Sequence, residues 1–105
     1  MRLTQKVIIV TGGGSGIGAE TAKVFAEEGA TVVVADWNRD AGAETVAAIT
    51  RQGGQGTFCY ADVSQPPDVE NLVRTAMQQH GRLDVILNNA AVQIFGKLVD
   101  TAEAD

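Results

Sequence analysis

Apolar positions along this chain come in two kinds of run, and the two alternate. Lys6 to Thr11 is continuously apolar through Val7-Ile8-Ile9-Val10, the pattern of a strand buried on both faces. Ile17 to Glu28 has helical spacing instead, with Ile17, Ala22, Val24, Phe25 and Ala26 as its apolar stripe and Gly29 as its stop. Thr31 to Ala35 is a second β-branched run. Asp40 to Gln52 predicts a second helix, with Ala43, Val46, Ala47 and Ile49 on its apolar side and Gly53-Gly54 ending it. Gly56 to Ala61 predicts a third strand. The third helix is the clearest, because Val69, Leu72, Val73, Ala76 and Met77 follow the i, i+3, i+4, i+7, i+8 rule. Pro66 and Pro67 suit its first turn, where a missing N–H costs nothing, and His80-Gly81 closes it. Asp84 to Asn88 predicts a fourth strand. From Gln93 onward the pattern fades, so the chain divides into an ordered unit over 1–92 and an irregular tail over 93–105.

Strands that alternate with helices and are buried on both faces form a parallel sheet wrapped by helices, an α/β class. Right-handed crossovers send the first two connections one way and put both helices on one face. The third connection must return past strand one, with its helix on the opposite face. The predicted strand order is therefore 3-2-1-4, half of a doubly wound sheet. A crevice is expected where the order reverses, outside the carboxyl ends of strands one and four.

Composition narrows the function. Eight basic residues against thirteen acidic ones, with no basic run, argue against a nucleic-acid surface. A single cysteine, Cys59, rules out an internal disulfide and reads as core beside Phe58. The apolar run near the N-terminus is too short for a signal core or a membrane span, so a soluble cytoplasmic protein with no membrane partner is expected. No His/Cys/carboxylate cluster has metal-ligand spacing. His80 at a helix C-terminus reads as a cap and dipole partner.

The stretch VTGGGSGIGAE, residues 10–20, places five glycines within seven positions at the predicted crevice. A strand that enters a glycine loop and then a helix N-terminus makes an anion site, because backbone N–H groups and the helix dipole face a bound phosphate. Gly12 allows the tight turn, Gly16 lets the backbone approach a pyrophosphate, and Gly18 lets the helix pack close to the strand. The plain alternative is a flexible glycine-rich loop. The spacing departs from G-x-G-x-x-G and matches T-G-x-x-x-G-x-G, as Thr11-Gly12, Gly16 and Gly18.

On that motif the chain resembles the short-chain dehydrogenase/reductase family. Three further motifs follow in order: Asp36 ends strand two, Asp62-Val63 ends strand three, and Asn88-Asn89-Ala90-Ala91 ends strand four. Ala91 departs from the family's usual N-N-A-G. The resemblance implies a Rossmann-like cofactor-binding half with the second half missing. It also implies NAD as cofactor. Asp36, eighteen residues past Gly18, would accept hydrogen bonds from both adenosine ribose hydroxyls and repel a 2′-phosphate. It is otherwise a loop-start or capping acid. Ser15 stands where NADP-dependent members often carry Arg or Lys, although Arg39 lies nearby. Asp62 would meet the adenine amine and the Val63 N–H a ring nitrogen, or Asp62 is a turn residue before a helix. Asn88, Asn89 and Ala90 would line the ribose side, or the Asn pair satisfies backbone groups at the sheet end. Thr11 would tie its hydroxyl to that turn, and Ile17 would pack near the pyrophosphate.

Hydride transfer in the family uses Tyr-x-x-x-Lys, a Ser before it and an Asn in a helix after strand four, the Lys lowering the Tyr pKa. The single tyrosine here, Tyr60, is followed four residues later by Ser64. No position matches a catalytic residue. Two readings of different class follow. In one, the chain is the truncated NAD-binding portion of an alcohol/carbonyl oxidoreductase and does not catalyse alone. In the other, it is a stand-alone nucleotide-binding module without catalysis. The second would self-associate through strand four, an open apolar edge.

Overall fold

The computed structural model describes residues 2–14, 16–87 and the backbone of a strand at 92–94. The elements run β1 (Val7–Thr11), α1 (Gly16–Glu27), β2 (Thr31–Asp36), α2 (Arg39–Arg51), β3 (Gln55–Tyr60), α3 (Pro66–His80), β4 (Val85–Leu87) and β5 (Val92–Ile94). The sheet order is β3-β2-β1-β4-β5. β1 pairs in parallel with β2 and β4, and β2 with β3. The predicted order 3-2-1-4 is thus the order found.

Side chains of a strand alternate between faces, and here that alternation builds two cores. Ile8, Val10, Val32 and Val34 pack with Ala22 and Ala26 of α1 and Ile49 of α2. Val7, Ile9, Val33, Ala35 and Ile86 pack with Leu72 and Ala76 of α3 on the other face. The continuous apolar runs of β1 and β2 are the sequence trace of this two-sided burial.

Two helix faces differ from expectation. On α1 the buried residues are Gly18, Ala22 and Ala26, while Ile17 and Val24 are exposed. Small residues let the helix lie close to the sheet, so the larger apolar neighbours turn outward. On α2 the buried residues are Gly42, Thr45 and Ile49, while Ala43 and Ala47 are exposed. Asn38 sets the start of this helix by accepting the Ala41 N–H at 3.0 Å. The inward face then follows at positions 42, 45, 46 and 49. A glycine and a threonine on that face do not register in an apolar count. On α3 the stripe holds, with Leu72 and Ala76 buried, although Met77 is exposed. Gly81 caps that helix in the left-handed conformation at φ 77°, its N–H bonded to the Met77 carbonyl.

β4 is shorter than expected, and it is not the edge of the sheet. β5 pairs antiparallel along its outer side, joining Val85 to Ile94 and Leu87 to Val92. Gln93 and Ile94 therefore belong to a strand, although the sequence reading put them in an irregular tail. Three residues with weak strand patterning suffice because β4 offers a ready row of backbone donors and acceptors. Asp84 fixes the start of β4: its Oδ2 accepts the Val7 N–H at 2.8 Å, and its own N–H bonds the Val7 carbonyl at 2.9 Å. Among the described residues, no helix is long and apolar enough to cross a membrane.

Candidate functional site

The glycine turn follows β1 and is tied to the carboxyl end of β2, with the end of β3 one strand further out. Gly12 and Gly16 both have positive φ, 65° and 57°, a region open to glycine at no steric cost. Around them the backbone is tightly packed. A Cβ on Gly18 would overlap the Gly12 carbonyl oxygen, so only glycine lets α1 start directly against β1. A Cβ on Gly13 would stand 2.9 Å from the Val10 carbonyl oxygen. Gly16 is the contrast, because a Cβ there would meet nothing within 4 Å. The space over Gly16 is open, while the floor beneath Gly13 and Gly18 is full.

That open space faces the first turn of α1. The first N–H groups of a helix have no partner inside it, and the turn carries no acidic residue that would compete for an anion. Ile17 projects beside it, 82% exposed. An apolar residue this exposed at a helix start contributes nothing to the core.

Asp36 ends β2 and is only 7% exposed. Its Oδ2 accepts the Gly14 N–H at 2.9 Å, and its Oδ1 accepts the Asn38 N–H at 2.9 Å. The carboxylate therefore ties the glycine turn to the start of α2. Each oxygen of a carboxylate has two acceptor positions, so among the described residues one on each remains for a further donor. Gly14 makes this approach possible, since a Cβ there would stand 2.7 Å from Asp36 Oδ2 and 2.8 Å from the Gly42 nitrogen.

At the end of β3, Asp62 forms a turn. Its Oδ1 accepts both the N–H and the hydroxyl of Ser64, at 3.0 and 2.6 Å. The Ser64 hydroxyl, then its N–H, holds the Asp62 carboxyl below its ordinary pKa. The Asp62 N–H in turn bonds Asp68 Oδ2 at 2.9 Å, which docks the start of α3. The turn-residue reading of Asp62 is thus realised, and it leaves Oδ2 outside the Ser64 contacts. Val63 follows it, half exposed. Thr11 is buried and its hydroxyl donates to the Leu87 carbonyl over 3.4 Å. This contact joins β1 to the end of β4, one residue before Asn88. Ser15, Asn88, Asn89 and Ala90 lie outside the described residues, as does Ala91.

Sequence reasoning treated Tyr60 only as a failed catalytic match. The register pairs it with Asp36, and Arg39 stacks over its ring, 4.5 Å from the centroid. The strand ends alone carried the signal, since both residues close their strands at the same level. Cys59 points to the opposite face, where it packs against the α3-side core and burial pushes its thiol up. His80 Nε2 is buried with no hydrogen-bond partner among the described residues.

A parallel sheet whose order reverses beside a glycine turn, with an acid closing the second strand, defines a Rossmann-like α/β fold. The chain belongs to the short chain dehydrogenase family, whose sequence profile matches residues 6–105. It is 40% identical over 105 residues to an uncharacterized oxidoreductase of Thermotoga maritima, covering 100% of this chain and 41% of that protein. It is 50% identical over 91 residues to tropinone reductase-like 1 of Erythroxylum coca, covering 87% of this chain and 32% of that one. A hydroxysteroid dehydrogenase structure from Escherichia coli superposes with a TM-score of 0.81 at 40% identity, over 83% of this chain and 37% of that one. The chain thus spans about 40% or less of the length of these relatives. Members of the family are oxidoreductases that bind nicotinamide dinucleotides, NAD or NADP.

Proposed function

We propose that these residues hold the adenosine diphosphate half of NAD, and that the protein they serve interconverts alcohols and carbonyls. The observation that carries this reading is Asp36. It is a nearly buried carboxylate at the end of β2 with, among the described residues, one acceptor position left on each oxygen. Two ribose hydroxyls are the matching donors, and each such charge-assisted bond is worth about 1.5–3 kcal/mol. The same charge repels a 2′-phosphate, which favours NAD over NADP. The open space over Gly16 and the N–H groups at the start of α1 suit the pyrophosphate. Ile17 covers it, and Val63 offers an apolar edge and a backbone N–H to the adenine. Ser15, Asn88, Asn89 and Ala90 belong to the same proposed site by the family's pattern.

When bound, the nicotinamide supplies or accepts the hydride. The residues described here bind and orient its adenosine end and carry no group proposed as catalyst. Affinity should therefore reside in the adenosine half. Calorimetry is expected to give ADP and NAD dissociation constants within about tenfold, or about 1.4 kcal/mol, with NADP weaker. Asp36→Ala should weaken both and erase the preference over NADP. NAD binding far tighter than ADP, or an unchanged preference in Asp36→Ala, refutes the assignment.

A further inference from the structure

Arg39 is the nearest cation in sequence to Asp36, yet the two form no ion pair. The ion pairs among the described residues are Lys23–Glu20 and Arg82–Asp84. Asp36 accepts from two backbone N–H groups instead. The guanidinium lies on the Tyr60 ring. Asp36 and Tyr60 are direct partners across β2 and β3, so their side chains leave the sheet on the same face, about 5 Å apart at the backbone. Arg39 opens α2 directly after its cap, Asn38. From that position a long, flexible side chain reaches either the Tyr60 ring or the space beside Asp36.

We propose that the Arg39–Tyr60 stack is a specificity device: it parks the Arg39 guanidinium on an aromatic ring and so withholds it from a 2′-phosphate at the ribose. This rests on the nucleotide-site reading above. Asp36 supplies the repulsion, and the stack keeps Arg39 from compensating it. Arg39 must leave Tyr60 to meet a 2′-phosphate, and that departure forfeits the cation–π contact. At an exposed site such a contact is worth about a two- to fivefold factor in an equilibrium constant. Removing the ring removes this cost and leaves the guanidinium available for a charge-assisted bond to phosphate.

The test compares ADP with adenosine 2′,5′-bisphosphate by calorimetry, on the wild-type chain and on Tyr60→Leu, Tyr60→Phe, Arg39→Gln and the Arg39→Gln/Tyr60→Leu pair. Tyr60 sits partly exposed on an outer strand, and thermal unfolding of each variant verifies its fold. Tyr60→Leu is expected to raise bisphosphate affinity relative to ADP by about two- to fivefold. Tyr60→Phe keeps a ring and should keep the wild-type ratio. The double variant should lose the gain, because the cation is gone. If folded wild type does not bind ADP, the nucleotide-site reading fails and takes this proposal with it. If ADP binds normally but Tyr60→Leu leaves the ratio unchanged, or the gain persists without Arg39, the stack proposal alone is overturned. A gain that falls as salt rises supports it, since the added contact is between charges.

Discussion

Gly18 and Gly42 show how much one hydrogen atom in place of a methyl decides. A Cβ on Gly18 would collide with a backbone carbonyl, that of Gly12, and one on Gly42 with the Phe58 ring. The obstacles differ in kind. A ring on β3 can be replaced by a smaller side chain, whereas the Gly12 carbonyl belongs to the turn itself. Overpacking of this sort costs about 1–3 kcal/mol and sometimes more. Gly42→Ala should lower stability within that range, and adding Phe58→Leu should recover part of the loss. Gly18→Ala should cost at least as much and gain nothing from Phe58→Leu. Urea unfolding of these four variants and of Phe58→Leu alone measures the coupling; recovery of Gly18→Ala by Phe58→Leu would contradict this packing. Gly18 was legible in the sequence because its motif has fixed spacing. Gly42 was not, because its partner sixteen positions on is a neighbour only in the folded chain.

At the scale of elements, the positions of strands and helices were legible and their faces less so. Periodicity located all three helices to within a residue or two, but it turned Ile17 and Val24 of α1 and Ala43 and Ala47 of α2 inward, where Gly18, Gly42 and Thr45 are buried instead. The reason is distance. A helix laid close on a sheet buries glycine, alanine and threonine, and hydrophobicity alone ranks these low. The junction of β1 with β4 adds a pH dependence. Arg82 grips both oxygens of Asp84, with Nε at 2.9 Å from Oδ2 and Nη2 at 2.7 Å from Oδ1. The Arg82 contact, with lesser help from the Val7 N–H, holds the Asp84 pKa below its ordinary 3.8. A carboxylate depressed in the folded state stabilises the protein above its unfolded pKa, and that contribution is lost as pH falls through the folded value. Wild type should therefore lose more stability than Asp84→Asn between about pH 5 and pH 3. Thermal unfolding across that range is the measurement, and parallel curves would show that Asp84 contributes nothing.

For the whole molecule, the arrangement around the crevice was inferable because crossover handedness leaves one route for each connection. β5 was not inferable, since its pairing depends on the free side of β4 rather than on its own three residues. The same scale bears on catalysis. The one tyrosine lies at the end of β3 under Arg39, on the adenosine side of the proposed site and not beside a lysine. The 105-residue chain is expected to show no sustained NADH formation with NAD and simple secondary alcohols, even where calorimetry shows nucleotide binding. Steady absorbance growth at the NADH band from purified protein would overturn that expectation.

The sequence by itself determined the class of fold, the strand order and the family, because β-branched runs, helix periodicity and glycine spacing are local signals read over a few residues. It also marked Asp36 as the acid of interest. Only the tertiary structure decided what Asp36 holds, which faces of α1 and α2 are buried, where Arg39 rests, and that β4 has a neighbour on each side. Each of those depends on atoms brought together from distant parts of the chain, and no spacing along the chain encodes the distance between them.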